Sequence, residues 1–527
     1  MASSGEGRAK RWVFVAVLMM ACTFAALVGA ELATRLIDGY RIVPLRLGVP
    51  RARVKSTDSD RVADSGRWQG DTDALPYVAT LPLANGVQRE WFADRLPGRP
   101  DWRADADLAA RAKRYQPVDL PANYEWNWNY VLGAVCRGEH GDDGELFKRY
   151  DDLYVFDPHE GSDAPRFRFL RNATYQSGLR TNAFGWRGPD VPLNKSPRTI
   201  RLAFIGASTT VGMHAEPYSY PELVGIWLNR WAEANHAGVT FESINAGREG
   251  VNSSSIQAIV KQELSPMQPD LVLYYEGANQ FWPIDFVSTT LPPRSRISGA
   301  EPGMLASYSA IARRVESLAT RAVHAGAEPS KPPIRVNWPS DLDEHDPNLT
   351  NPHLPYETQH VLGDLDLIRQ TLDDDGSRLA IASFVWLVHP GLVLDPVRDA
   401  LVFSYLNTTF WPFTYAHLRR FLDFQTRVFR KYAAAHDLDF IDLAELYPPD
   451  PRLFGDAIHM TTAGIRLQAW IVFNRLVPII ERRMVSREWP RPVRHPLSRH
   501  PAFAERRLVP MTQVRAACGT PSPTQNE

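Results

Sequence analysis

Apolar and polar positions divide the chain into three stretches of different character. The first is an uninterrupted uncharged run, Trp12 to Ala30, preceded by Arg8, Lys10 and Arg11. At ~1.5 Å rise per residue this run is long enough to cross most of a hydrocarbon core. Glu31 to Ile37 carries the same helical pattern onward. Residues 1–40 therefore read as an uncleaved N-terminal anchor with its transmembrane part at about 12–30. The rival is a cleaved signal peptide, for which Val28-Gly29-Ala30 supplies the small residues of a cleavage site. Cations before such a run stay cytoplasmic, which puts residues from about 40 onward outside. The second stretch, 41–197, has short apolar runs broken by Gly, Pro and Asp, with Trp68, Trp91, Trp102, Trp126, Trp128 and Trp186 scattered through it. It reads as an irregular accessory region whose tryptophans pack in cores or at contacts; the rival reading is a sugar-stacking platform.

The third stretch alternates in period. Strand patterns at Thr199 to Ile205, Val239 to Asn245, Leu271 to Glu276, Leu379 to Val388 and Leu438 to Asp442 are interleaved with helical patterns. The helical patterns run over Tyr220 to Ala237, near Ser254 to Leu264, Phe413 to Ala435 and Thr462 to Arg483. Strands alternating with helices predict a parallel sheet covered on both faces, an α/β domain over 198–485. Right-handed crossovers bring every strand's carboxyl end to one edge, where open α/β sheets hold ligands. An insertion at about 281–377 exceeds what a crossover needs, with helices expected at Ser307 to Ala325 and Glu357 to Leu372. Residues 486–527 turn Pro- and Arg-rich and read as a surface or disordered tail.

Composition narrows the function. Charged residues make up 23%, apolar ones 44%, and the formal net charge is -1, which argues against a nucleic-acid partner. Cys22, Cys136 and Cys518 are too few and too far apart for a thiolate metal site. With Cys22 in the apolar run, Cys136 with Cys518 is the one intrachain pairing open in an oxidising compartment, and spacing alone does not say whether it forms.

Four polar segments fall just after predicted strand ends: Gly206-Ala207-Ser208-Thr209-Thr210, Asn245 to Gly250, Gly277-Ala278-Asn279-Gln280 and Asp456-Ala457-Ile458-His459. Singly, each reads as a turn or a helix cap. Together they hold what acyl transfer needs. A serine requires a neighbouring base, and the base requires a partner that fixes its tautomer. Ser208 is the candidate nucleophile, His459 the base and Asp456 its orienting carboxylate. The backbone N–H groups of Ser208 and Gly250 and the Asn279 amide are candidate oxyanion donors. Glycine at 250 is expected to allow close backbone approach to a substrate.

Ser208, Gly250, Asn279 and Asp456-x-x-His459 stand in the chain order of the blocks of the SGNH (GDSL-type) hydrolase superfamily, which the chain resembles over about Thr199 to Arg483. Arg180 to Gly188 is similar to a lead-in of anchored bacterial members. The resemblance implies a three-layer α/β/α sandwich with a five-strand parallel sheet, a serine esterase or acyl transferase without cofactor or metal, and the catalytic roles given above. Two positions depart from the family pattern: Ala207 where an acidic residue is usual, and Gln280 where Asp often follows the block's Asn.

His214 and His389 are rival bases, but neither has a carboxylate three residues before it. Phe281, Trp282 and His389 are candidate walls of a substrate pocket. Glu276 reads as a strand-end residue reaching solvent. The expected substrate is a small-molecule or glycan acyl ester met outside the cytoplasm by an enzyme held to the membrane through its N-terminal helix. Alternatives are a lipid-ester hydrolase, with Leu392-Val393-Leu394 and Leu401-Val402-Phe403 lining its site, and a catalytically decayed scaffold or glycan-binding protein.

Overall fold

The structure is a computed structural model that describes residues 4–37, 42, 72–98, 124–141, 143–157, 165–175, 177–212, 217–280, 283, 304–323, 328–336, 338–355, 357–394, 399–492 and 505–518. Trp68, Trp102, His214, Phe281 and Trp282 lie outside the described residues. A single helix, Ser4–Ile37, contains the apolar run and its continuation. Its part Phe14–Ile37 is long and apolar enough to cross a membrane, and no residue of its most apolar 18-residue window is buried within the protein.

Three short strands come next in chain order, β1 (Tyr124–Asn127), β2 (Asp152–Phe156) and β3 (Phe167–Phe169). Then follow β4 (Thr199–Gly206), β5 (Thr240–Asn245), β6 (Leu271–Tyr275), β7 (Arg378–Ala382) and β8 (Asp439–Ile441), with β9 (Arg506–Pro510) near the C-terminus.

Strands β4 to β8 form one parallel sheet in the order β5-β4-β6-β7-β8. All eight residues of β4 and all five of β6 are buried, as a sheet covered on both faces requires. Helix Tyr220–Ala234 packs on β5 and on helix Thr462–Val485 to form one layer. Ser253–Ile259, Thr358–Asp374 and Tyr415–Ala435 form the other, where Tyr432 donates to Asp366 at 2.8 Å. The strand order reverses beside β4, so the carboxyl ends of β4, β5 and β6 meet at the switch point where such sheets open a crevice.

One expectation changes at the border of this sheet. Strand β7 ends at Ala382 rather than near Val388, because its neighbour β8 is only three residues long and offers no further ladder. The apolar residues 384–388 instead run buried as a loop toward the site.

The accessory region is less irregular than its sequence, since β1, β2 and β3 join β9 in a second sheet of order β3-β1-β2-β9. Strands β1 and β2 are parallel, whereas β3 and β9 run antiparallel to their neighbours. The expected tail thus contributes a strand and the helix Met511–Ala517. Local periodicity could not show this, because Leu153 pairs with Val509 across most of the chain. The arginines that made 486–527 look like tail are used: the Arg506 and Arg507 guanidinium groups each lie 4.7 Å from a ring centroid, those of Tyr154 and Trp128. Cys136 and Cys518 form a disulfide, with Cα atoms 5.0 Å apart. Trp91, Trp126 and Trp186 are buried and Trp128 is half-buried, as packing residues would be.

Candidate active site

Strand β4 ends at Gly206, where any side chain would collide: an added Cβ would lie 2.1 Å from the Tyr275 carbonyl oxygen. The chain then turns sharply through Ala207 into the one-turn helix Ser208–Val211. Thr210 ties that turn back to β6 by donating to the Tyr275 carbonyl at 3.0 Å. Asn245, at the end of β5, donates to the Thr210 and Val211 carbonyls at 3.0 and 3.3 Å. Arg187, fully buried, donates to the Val211 and Gly212 carbonyls at 3.2 and 3.0 Å and is paired with Glu222 at 3.2 Å. A cation at the open carbonyl end of this short turn fixes a segment too short to be stable alone.

The result is a partly exposed Ser208 whose Oγ lies 2.8 Å from His459 Nε2. His459 Nδ1 lies 2.7 Å from Asp456 Oδ2. The other oxygen, Asp456 Oδ1, accepts from the Ile458 and His459 backbone N–H groups, both at 2.8 Å. Phe454 and Met460 bridge across the base of this loop, and Leu387 donates to the Ala457 carbonyl at 2.8 Å. Burial pushes the Asp456 carboxyl up, but hydrogen bonds from His459 and its backbone outweigh it and hold the group below its ordinary range. It is thus a charged acceptor beside the imidazole, the condition under which Nδ1 carries the proton and Nε2 is free to take another.

Gly250 follows β5 with a φ of +68°, the left-handed region that favours glycine, and no heavy atom lies within 4 Å of where its Cβ would be. Its conformational need is therefore met inside the protein, while that side stays open. Among the described residues, the backbone N–H groups of Ser208 and Gly250 donate no hydrogen bond. Asn279 donates one amide hydrogen to the Val251 carbonyl at 2.7 Å, joining the β5 and β6 loops. Gln280, which follows Asn279, is buried. It accepts from Ser253 N and donates to Ser253 Oγ, both at 2.9 Å, clamping the start of helix Ser253–Ile259.

Glu276 overturns its sequence reading. It is 1% exposed rather than at solvent, because Phe384 and helix Tyr415–Ala435 close over the end of β6. Its Oε1 accepts from the Ala278 and Asn279 N–H groups, both at 2.8 Å, so it holds the backbone that carries the Asn279 amide. Burial pushes its carboxyl up to about 7, against the pull of the Asn279, Ala278, Gly277 and Ala207 backbone N–H groups around it. The Ser208 turn thus has a buried carboxyl beside it, Glu276 just after β6, where residue 207 has none. Behind it, Glu276, Gln280, Tyr274, Thr358 and Gln425 line a cavity of about 20 Å³, room for one water and not for a substrate.

His389 bonds the Pro390 carbonyl at 3.0 Å and joins none of these groups. Of the expected apolar lining, Leu392, Leu394 and Val402 are buried in the core, while Val393 and Leu401 face solvent. Reading the sequence also missed Arg187 and Asn245. The signal for Arg187 lay in the Arg180 to Gly188 lead-in, which was noticed without a role. Among the described residues no group of three His, Cys, Asp or Glu side chains is placed to hold a metal ion.

No protein-family model and no curated protein matches the sequence. Solved structures similar to this chain include an acetyl xylan esterase, AlAXEase, at 13% identity and a TM-score of 0.29, covering 53% of this chain and 100% of that one. TesA is similar at 14% identity and a TM-score of 0.29, covering 53% and 99%. A GDSL-like lipase from Bacteroides thetaiotaomicron VPI-5482 is similar at 11% identity and a TM-score of 0.25, covering 54% and 88%.

Proposed function

We propose that this chain is a membrane-anchored serine esterase or O-acyl transferase of the SGNH type, acting outside the cytoplasm on acyl esters of glycans. The reading is carried by the unbroken line Ser208 Oγ, His459 Nε2, His459 Nδ1 and Asp456 Oδ2, with separations of 2.8 Å and 2.7 Å at its two hydrogen bonds. Both lie within reach of proton transfer.

In the first half-reaction Ser208 Oγ attacks the ester carbonyl carbon while His459 Nε2 takes the hydroxyl proton. Negative charge moves to the carbonyl oxygen, toward the N–H groups of Ser208 and Gly250 and the Asn279 amide. Collapse of the intermediate breaks the ester C–O bond. The leaving oxygen takes the proton from His459, and an acyl group remains on Ser208. Water or a sugar hydroxyl then attacks that acyl group by the same steps in reverse. Asp456 stays ionised throughout and steadies the imidazolium.

Hydrolysis of p-nitrophenyl acetate by the detergent-solubilised full chain tests the reading. Ser208→Ala and His459→Ala are each expected to lower kcat by at least ~10³-fold. A fluorophosphonate should label Ser208 and leave the alanine variant unlabelled. Equal turnover in all three proteins would instead favour a decayed scaffold.

A further inference from the structure

The apolar run Trp12 to Ala30 ends at Glu31, and the structure gives this residue an unusual task. Its carboxylate accepts from Ala310 N at 2.8 Å, Ile311 N at 3.2 Å and Ser309 Oγ at 2.8 Å. These are the orphan donors at the start of another helix, Ala310–Val323, so one helix caps a second from almost 280 residues away. One turn further on, Arg35 is buried. It pairs with Glu31 at 2.8 Å and donates to the carbonyls of Ile42 and Tyr308.

This contact sets a depth. Segment 304–311 meets the N-terminal helix at the first residue beyond its apolar run, where a spanning helix would leave the hydrocarbon core. At that level large apolar side chains point away from the protein: Met304 is 81% exposed, Leu305 75%, and Tyr308 and Val315 more than half. Met304, Leu305 and Tyr308 lie in and beside the short turn Leu305–Ser307, just before helix Ala310–Val323, which carries Val315. Helix Ala310–Val323 also carries Arg313, Arg314 and Arg321 against one acid, Glu316, a basic balance matched to phospholipid headgroups.

We propose that residues 304–316 form a second membrane contact, lying in the headgroup layer of the outer leaflet with Met304, Leu305, Tyr308 and Val315 in the lipid, locked to the anchor by Glu31 and Arg35. This rests on the membrane-anchor part of the functional reading. A spanning helix alone is a flexible tether; two contacts at one depth fix the orientation of the domain. The docked segment belongs to the stretch between β6 and β7 that begins with the Asn279 loop, so the same piece of chain serves the membrane contact and the oxyanion donor. An enzyme held in this way takes acyl esters displayed close to the membrane surface.

The test uses the full chain in phosphatidylethanolamine–phosphatidylglycerol vesicles, on a Cys22→Ala background in which the disulfide leaves no other thiol. Leu305→Cys, Phe24→Cys and Val485→Cys each receive a nitrobenzoxadiazole label. The expected result is that lipids carrying a nitroxide near the headgroup quench the label at 305, and that this label is several-fold less open to aqueous iodide than the one at 485, which is 85% exposed in the native protein. Glu31→Ala, which removes the shared acceptor, is expected to shift the label at 305 toward iodide while the one at 24 stays in lipid. A label at 305 as open to iodide as that at 485, with 24 quenched by lipid, overturns the docking and leaves the anchor standing. Loss of lipid quenching at 24 as well overturns the anchor itself.

Discussion

A carboxyl with two backbone donors on one oxygen and none on the other can keep those bonds whether or not it holds a proton, and Glu276 is in that position beside the Ser208 turn. In the unfolded chain it ionises at its ordinary 4.5, in the native protein at about 7. Between these values the native state keeps a proton that the unfolded state has released. Its contribution to stability is therefore complete below about pH 4.5 and declines as pH rises to about 7, by roughly 3 kcal/mol. Glu276→Gln keeps an acceptor for Ala278 and Asn279 and is expected to flatten this part of the profile, read as urea midpoints from pH 4 to 8, while kcat stays within about tenfold of the parent. Glu276→Ala strands both N–H groups and is expected to lower kcat about 10- to 100-fold through the displaced Asn279 amide. That Ser208, Asp456 and His459 meet was legible in the sequence, because they fall just after predicted strand ends, which the fold brings to one edge. Glu276 was not, because a glutamate next to a turn carries no sign of the phenylalanine and the helix that bury it.

Elements show the same division between local and distant information. Strands β4, β5 and β6 were readable to within a residue or two, since β4 and β6 are compact, largely apolar runs bounded by Gly, Pro or Asp, β5 lies between Gly238 and Gly247, and their partners are neighbours in a repeating unit. The length of β7 was misjudged because burial, which the apolar run reports, is not the same as strand pairing, which depends on β8. The lead-in holding Arg187 looked irregular for a related reason: its order comes from a guanidinium bonded to the carbonyl end of the Ser208–Val211 turn. Arg187→Met would leave Glu222 buried without its cation, the Gly212 carbonyl without this donor and the Val211 carbonyl with Asn245 alone. It is expected to cost about 3–5 kcal/mol in urea unfolding and to lower kcat together with stability. Arg187→Lys is expected to recover only part of either, because one ammonium cannot reproduce the planar set of donors that Arg187 shares between the two carbonyls and Glu222.

At the scale of the whole molecule, a disulfide across 382 residues and strand β9 on the edge of β2 tie the end of the described chain to the accessory region. Tyr124 of β1 in turn donates to Glu249 at 3.1 Å, one residue before Gly250. In the chain-entropy picture a loop of this size is worth roughly 6 kcal/mol. Cys136→Ser is therefore expected to lower the melting temperature of the protein and to speed proteolytic loss of its C-terminal segment, followed by mass spectrometry under dilute protease. The placement of β9 also imposes a timetable. A growing chain folds from its N-terminus, yet β2 waits for a neighbour some 350 residues later, the separation of Asp157 from its partner Arg507. At ~5–20 residues per second the β2 edge stays bare for roughly 20–70 s in each round of synthesis. A prematurely terminated chain never covers that edge and keeps a template for self-association. Among the described strands, the one made latest is thus the one that shields an edge laid down among the earliest.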